Sequence, residues 1–170
     1  MKKAFPVLAA VTTAITLTAN DLHIDGKFKH ISDGLPVRWV ISAPKNAKFV
    51  RGEELFSHPA LQLTAGKTAV TATTAAAYPV NNFDTVKVEA EIKGSGKAYL
   101  AVQLLDAKDK IIATPRVAIG DANGRFRDLK GALRITQFAQ HSPAKVKIIF
   151  GVEPGSTVAF DEIEAELDND

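Results

Sequence analysis

The stretch that decides the fold is DTVKVEAEIKGSGKAYLAVQLLD, residues 84–106. Apolar and polar side chains alternate along it, which is the two-residue period of a strand with one face on a core. The apolar positions of this period are Val86, Val88, Ala90 and Ile92, followed by Leu100, Val102 and Leu104. Gly94-Ser95-Gly96 divides the two runs and is predicted to turn the chain, since glycine accepts the backbone angles of tight turns.

Similar strand-length runs recur at intervals of roughly 8–12 residues, separated by Gly, Pro and Asp. The further candidate strands are 22–28, 37–42, 60–63, 69–73, 111–113, 116–119, 145–152 and 157–167. Turns are predicted at 106–109 and 120–124, where Asp, Asn and Gly cluster. Periodicity leaves 132–140 open between a strand and a short helix. This pattern predicts an all-β protein, an antiparallel β-sandwich.

The first 19 residues are typical of a secretory signal peptide. Lys2 and Lys3 precede an apolar run from Phe5 to Leu17, and the small residue Ala19 offers a cleavage site. A membrane anchor is the alternative, but a spanning helix needs about 20 apolar residues. We therefore predict an exported protein, periplasmic or extracellular, with one domain over residues 20–170 and no membrane span after cleavage.

Charge and cysteine content exclude several function classes. The whole chain has a formal net charge of +2. Without Lys2 and Lys3, 19 basic residues face 19 acidic ones, so the predicted mature chain is neutral and nucleic-acid binding is not expected. The chain has no cysteine, which removes disulfides, thiol catalysis and zinc-thiolate sites.

Six segments resemble, in the same order, those of galactose-binding-like jelly rolls, including the carbohydrate-binding modules attached to cellulases and xylanases. They are DLHIDGKF (21–28), GLPVRW (34–39), DTVKVEAEIKG (84–94), YLAVQLLD (99–106), GRF (124–126) and VAFDEI (158–163). The resemblance covers nearly all of residues 20–170. It implies a jelly roll, a core position for Trp39, and carbohydrate as the ligand class.

The resemblance also implies a structural calcium near Asp161, which joins the two chain ends. In such modules a Glu after the first strand's Phe contributes a ligand, but here Lys29 follows Phe28. Calcium takes six to eight oxygen ligands, which Asp161 with Glu53 and Glu54 could help supply. The alternative hypothesis is that the Lys29 ammonium replaces the ion and pairs with Asp161.

Sugar binding in proteins uses aromatic rings stacked on pyranose faces and polar groups that fix the hydroxyls. Tyr99, Gln103 and Arg116 are the candidate binding residues on one sheet face, with Tyr78 as a further aromatic. In the alternative interpretation Tyr99 covers the outer layer of the sandwich, while Gln103 and Arg116 are solvated.

No catalytic pattern stands out. G-x-S-x-G, H-E-x-x-H and G-x-x-x-x-G-K motifs are absent, and the four histidines are scattered. Glu89 and Glu91 fit a solvated, charge-balanced strand face better than a glycosidase pair. We therefore predict a non-catalytic, carbohydrate-binding module. The alternative is a structural or assembly protein that uses the same fold to bind another protein.

Overall fold

A computed structural model describes residues 20–50 and 59–169. The predicted signal peptide (residues 1–19), Glu53 and Glu54 lie outside the described residues. The strands are β1 (Asn20–Asp21), β2 (Ile31–Ser32), β3 (Leu35–Pro36), β4 (Trp39–Ile41), β5 (Ala47–Val50), β6 (Ala60–Thr64), β7 (Val70–Thr74), β8 (Tyr78–Pro79), β9 (Asp84–Leu105), β10 (Ile111–Ala113), β11 (Arg116–Asn123), β12 (Arg127–Arg134), β13 (Lys145–Val152) and β14 (Thr157–Asn169). Two 3₁₀ helices span Pro44–Asn46 and Ile135–His141.

The long strand β9 belongs to both layers of an antiparallel β-sandwich. Its first half pairs with β12 and β14, and the first sheet continues from β14 to β6 and β5. Its second half pairs with β11 and β13, and the second sheet continues through β7 to β4. The predicted all-β, antiparallel jelly-roll sandwich is confirmed.

The turn that we predicted at Gly94-Ser95-Gly96 is wrong, because the chain bends there without reversing. Gly94 has φ +151° and Gly96 has φ +94°, and β9 stays paired on both sides. The glycines do interrupt the alternation of apolar and polar residues. The two antiparallel strands that we predicted on either side of them are the two halves of one bent strand.

The core lies between the sheets and contains the alternating residues of β9. Val86, Ile92 and Leu100 are each fully buried. Trp39 is 4% exposed, as the resemblance implied, and its ring centroid lies 4.9 Å from that of Phe150. Alternation thus identified the core face because burying apolar surface is the main favourable term in folding.

The N-terminal segment lies along the last strand, but only its first two residues form a strand. Asn20 and Asp21 pair with Leu167 and Glu166. The strand predicted over 22–28 is wrong, since Asp25 and Phe28 have positive φ angles and residues 26–27 form a turn. This path turns Phe28 into the core at 1% exposure.

Two other segments differ in their bounds from the sequence expectation. β11 continues through the predicted turn 120–124 and ends at Asn123, with Gly124 at φ +81°. The segment 132–140 contains the end of β12 and then a 3₁₀ helix.

Within residues 20–50 and 59–169, no helix has the length and apolar character needed to span a bilayer.

Candidate functional site

The outer face of the first sheet carries a groove along β9, β12 and β14. Three adjoining cavities of about 470, 400 and 150 Å³ follow one another along it. We define the groove by its outward side chains: Thr85, Lys87, Glu89 and Glu91 on β9; Asp128, Lys130, Ala132 and Arg134 on β12; and Glu162, Glu164, Glu166 and Asp168 on β14.

The groove is densely charged. Lys130 Nζ lies 2.9 Å from Glu89 Oε2 and 3.4 Å from Asp128 Oδ2. Lys87 Nζ lies 2.5 Å from Asp168 Oδ2. Hydrogen-bond donors and acceptors therefore line both sides of the groove, as recognition of a polyhydroxylated ligand requires.

Glu91 lies where several carboxylates converge. Partial burial raises its pKa above the ordinary value, and the charges of Glu162, Asp128 and Asp161 raise it further. Lys27 opposes this effect. The groove is therefore electronegative at this end.

Aromatic side chains contribute little to the groove. Among the described residues, none that lines the three cavities is aromatic. Phe126 lies just beyond the Glu91 end, where the Nζ atom of Lys93 is 5.2 Å from its ring centroid. Phe126 is partly buried.

Asp161 lies on the groove side of β14 and not in the apolar core. It is the cross-strand partner of Glu91, whereas its neighbour Phe160 is fully buried between the sheets. Asp161 is 1% exposed, and its Oδ1 accepts a hydrogen bond from the backbone N–H of Glu162 at 2.8 Å. An acid can follow a core phenylalanine here because consecutive side chains of a strand point to opposite faces of the sheet.

A β-bulge follows Asp161. The register of β14 against β9 shifts between Asp161 and Glu164, and Glu162 has φ +46°. The extra residue moves the core face from Phe160 to Ile163, which is 2% exposed. The bulge also places Glu162 and Glu164 on the groove.

The described residues alone do not form the structural calcium site that the resemblance implied, and Glu53 and Glu54, two of its expected ligands, lie outside them. Within residues 20–50 and 59–169, no three carboxylate or histidine side chains converge on a point that could hold a metal ion. Asp161 is present on β14, but Lys29 is exposed and offers no oxygen ligand from its side chain. The calcium site therefore stays a prediction.

The lysine at the bulge is Lys27, not the expected Lys29. Lys27 Nζ lies 3.1 Å from Glu162 Oε1, and this contact raises the pKa of Lys27. In the described part of the chain no ion pair joins Lys29 to Asp161. The backbone N–H of Lys29 instead donates to Asp25 Oδ1 at 3.0 Å. The predicted Lys29–Asp161 pair is therefore wrong.

Three of the four predicted ligand-binding residues lie together on the outer face of the second sheet. Tyr99 and Gln103 follow one another on that face of β9, and Arg116 is the first residue of the neighbouring β11. Tyr99 is only 6% exposed, and the Arg116 guanidinium carbon lies 4.1 Å from the centroid of its ring. Arg116 also forms an ion pair with Glu153. A guanidinium therefore occupies the ring face on which a sugar would stack.

Tyr78 is not part of that group. Its ring packs partly buried against the main core, and its hydroxyl donates to the carbonyl of His23 at 3.2 Å. Burial raises its pKa. Tyr99, by contrast, packs with Ala101 and Ile149 in a separate small cluster on the outer face.

Comparison with solved structures identifies the architecture. The tandem CBM22-1–CBM22-2 domain of Paenibacillus barcinonensis Xyn10C matches with a TM-score of 0.62 and 12% identity over 93% of this chain. The CBM22-1 xylan-binding domain of the same protein matches with a TM-score of 0.57 and 14% identity over 81% of this chain. The chain has the jelly-roll fold of a carbohydrate-binding module.

The same fold also matches a part of an arabinose-bound GH51 α-L-arabinofuranosidase, with a TM-score of 0.61 and 15% identity over 89% of this chain. The chain spans 90% of the single xylan-binding domain, 48% of the tandem domain and 27% of the arabinofuranosidase. At these identities the likeness establishes the fold and leaves function to the site. No protein-family model and no curated protein matches the chain.

Sequence reasoning missed the groove. It assigned Glu89 and Glu91 to a solvated face, and it did not single out Lys130, Glu164 or Glu166. The available signal was the row of acids at every second position of β14 opposite charged residues of β9. Only the strand pairing shows that these rows are neighbours.

Proposed function

We propose that the protein is a non-catalytic binding module whose groove holds a carbohydrate chain. The observation that carries the proposal is the open groove on the first sheet, formed in a fold shared with xylan-binding modules. The groove is long, is lined by charged side chains and runs along three paired strands, so it suits an extended ligand with many hydroxyl groups.

The lining supports recognition by hydrogen bonds more than by ring stacking. Carboxylates accept bonds from sugar hydroxyls, and Lys130 and Arg134 donate them. Ala132, an exposed small residue between these two, keeps the middle of the groove open.

A steric block of the groove tests the proposal. Ala132→Phe places an aromatic ring in the 400 Å³ cavity without changing charge, and Ala107→Phe, at an exposed turn position outside the groove, is the matched control. The purified chain is screened on a glycan array and its hits are measured by calorimetry. We expect Ala132→Phe to weaken binding by about tenfold or more, a loss of about 1.4 kcal/mol, with Ala107→Phe unchanged. Absence of binding to every glycan contradicts the proposal.

The Tyr99 face is our second candidate location for the same function. A sugar there would require Arg116 to leave the ring of Tyr99. Gln103→Ala and Arg116→Ala test this location. If they weaken glycan binding and Ala132→Phe does not, the ligand lies on the second sheet.

Protein binding is the second candidate function. Val40 and Ile119 are 59% and 57% exposed and share the outer face with Tyr99 and Ile149. Exposed apolar side chains on one sheet face are typical of contact surfaces. A partner that binds the wild-type chain, is lost with Ile119→Lys and is retained with Ala132→Phe would support this function.

We also propose that the protein is exported, on the strength of residues 1–19. Sequencing the N-terminus of the protein from its source cells tests this. A mature chain that begins at Asn20 supports export with cleavage, and a retained Met1 contradicts it.

A further inference from the structure

We propose that the groove selects glycans that carry free amino groups, such as oligomers of glucosamine, over neutral and acidic glycans. The inference rests on the proposed function, because it names the ligand class of the same groove. The inference follows from the numbers of acidic and basic side chains that line the cavities. It also follows from the ion pairs that the lysines of the groove already form with its acids.

Acids outnumber bases in the groove. Its lining contains seven carboxylates and three cationic side chains. Lys130 is engaged by Glu89 and Asp128, and Lys87 is engaged by Asp168. In the 400 and 150 Å³ cavities a ligand with carboxylate or sulfate groups would therefore meet net repulsion, whereas an ammonium group would meet acceptors. The 470 Å³ cavity differs, because Lys87 and Arg134 face Asp168 there.

Three of the carboxylates face the cavities without a cation in contact. In the described part of the chain, no ion pair is formed by Glu91, Glu164 or Glu166. Glu164 and Glu166 extend from the same face of β14, so their backbone positions lie about 7 Å apart. This arrangement offers repeated acceptors along a line, which suits a chain of repeated ammonium donors.

The register adds an independent observation. Glu164 of β14 lies directly opposite Glu89 of β9. Like charges placed opposite each other destabilise a sheet. Residues whose position lowers the stability of the fold are typical of ligand-binding sites. Lys130 already pairs with Glu89 at 2.9 Å, so an ammonium group beside Glu164 would relieve the repulsion that remains.

A single bound metal ion explains the pattern less well. Within residues 20–50 and 59–169, no three acidic or histidine side chains converge as metal ligands do. The acids are spread along three adjoining cavities instead. The ligand class that matches is an extended polycation with the hydroxyl groups of a sugar.

Calorimetry with matched oligosaccharides tests the inference. The full chain is titrated at about pH 6, where ordinary carboxylates with pKa values near 4 remain ionised. The probes are length-matched oligomers of glucosamine, N-acetylglucosamine, xylose and galacturonic acid, together with an oligolysine peptide. We expect glucosamine oligomers to bind about tenfold tighter than the N-acetylated ones, since charge-assisted hydrogen bonds are about twice as strong as neutral ones.

Two isosteric variants provide a second test of the inference. Glu164→Gln and Glu166→Gln remove charge from the groove, and Asp121→Asn removes the same charge from an exposed position on β11 in the second sheet. The groove variants should each lose most of the preference for glucosamine oligomers, and Asp121→Asn should keep it. The preference should also fall with added salt, because the groove is open to solvent.

The outcomes separate the two proposals. Equal or tighter binding of N-acetylglucosamine or xylose oligomers overturns the amino-sugar preference and leaves glycan binding in the groove standing. Tightest binding of oligolysine overturns it in favour of a basic peptide. If no oligosaccharide binds, both proposals are wrong. A preference that Asp121→Asn reduces as much as Glu164→Gln reflects overall charge and also overturns it.

Discussion

Gly26 brings the start of the described chain into direct contact with the bulge of β14. Its carbonyl accepts a hydrogen bond from the N–H of Ile163 at 3.2 Å. A Cβ atom on Gly26 would lie 1.7 Å from the carbonyl oxygen of Ile163. The chain ends are therefore joined by backbone contact and by the Lys27–Glu162 pair, at the place where the sequence suggested a calcium or Lys29.

We predict that Gly26→Ala lowers the free energy of unfolding by about 1–3 kcal/mol, because the added methyl group forces the two segments apart. Gly66→Ala is the matched control, since no heavy atom lies within 4 Å of its Cβ position. Urea unfolding followed by circular dichroism measures both. Equal stability of the two variants would mean that the segments separate without cost.

Glu91 couples stability to pH. Burial and neighbouring carboxylates raise its pKa above the ordinary 4.5, so the folded chain binds this proton more tightly than the unfolded chain does. Its contribution to stability is therefore lost as pH rises from about 4.5 through the folded-state pKa. We predict that Glu91→Gln is more stable than wild type at neutral pH and that the difference disappears in acid.

Chemical unfolding at a series of pH values measures this difference. Asp121→Asn, which removes an exposed charge on the second sheet, should stay within about 0.5 kcal/mol of wild type. A Glu91→Gln variant that is less stable at neutral pH would contradict the assignment of Glu91 to an electronegative end of the groove.

At the scale of elements, β9 and β14 set the geometry of both faces. The bend of β9 at Gly94–Gly96 carries one strand from the first sheet into the second. The bulge of β14 shifts its alternation by one residue and places the acids on the groove. Each irregularity is a single local feature with consequences for a whole face.

We predict that Gly96→Ala destabilises the protein more than Gly124→Ala. Both glycines have positive φ, +94° and +81°, and strain there costs of the order of 1 kcal/mol or more. Only at Gly96 does an added Cβ meet a neighbour, 2.4 Å from the buried Ser156 Oγ. That hydroxyl accepts a hydrogen bond from Lys97 N–H at 2.8 Å, which the clash would disturb. Thermal unfolding of the two variants compares them, and equal losses would indicate that strain alone decides.

At the scale of the molecule, the sheets share one core and one strand. Phe28 packs against both Trp39 and Phe150, with ring centroids 6.4 and 6.1 Å away, and Phe150 lies 4.6 Å from Phe160. These rings come from the N-terminal segment and from strands of both sheets. If either sheet loses its packing, the core side chains of the other sheet become exposed to solvent.

We predict that the domain unfolds in one transition. The fluorescence of Trp39, the single tryptophan, reports the second sheet and the core, while far-ultraviolet circular dichroism reports all strands. Because β9 belongs to both sheets, the two urea curves should coincide. A fluorescence midpoint clearly below the dichroism midpoint would show that the second sheet unfolds separately.

Prediction from sequence succeeded where a residue's environment follows from its strand face. Alternation placed Val86, Ile92 and Leu100 in the core, and the resemblance to jelly-roll modules implied the jelly roll and a core position for Trp39. It failed where neighbours come from distant segments. Nothing in the stretch around Tyr99 shows that Arg116 covers its ring, and nothing near Lys29 shows that Lys27 meets the bulge.

By itself, the sequence determined the strand content, the sandwich class and most of the core, because burial of alternating apolar side chains depends on local order along the chain. The tertiary structure adds that β9 bends instead of turning, that Asp161 and Phe160 lie on opposite faces of β14, and that the acids of β14 lie beside the charged residues of β9 and β12. These outcomes depend on strand register, and a shift of one residue moves every side chain of a strand to the opposite face. The groove is therefore a property of pairing between distant strands.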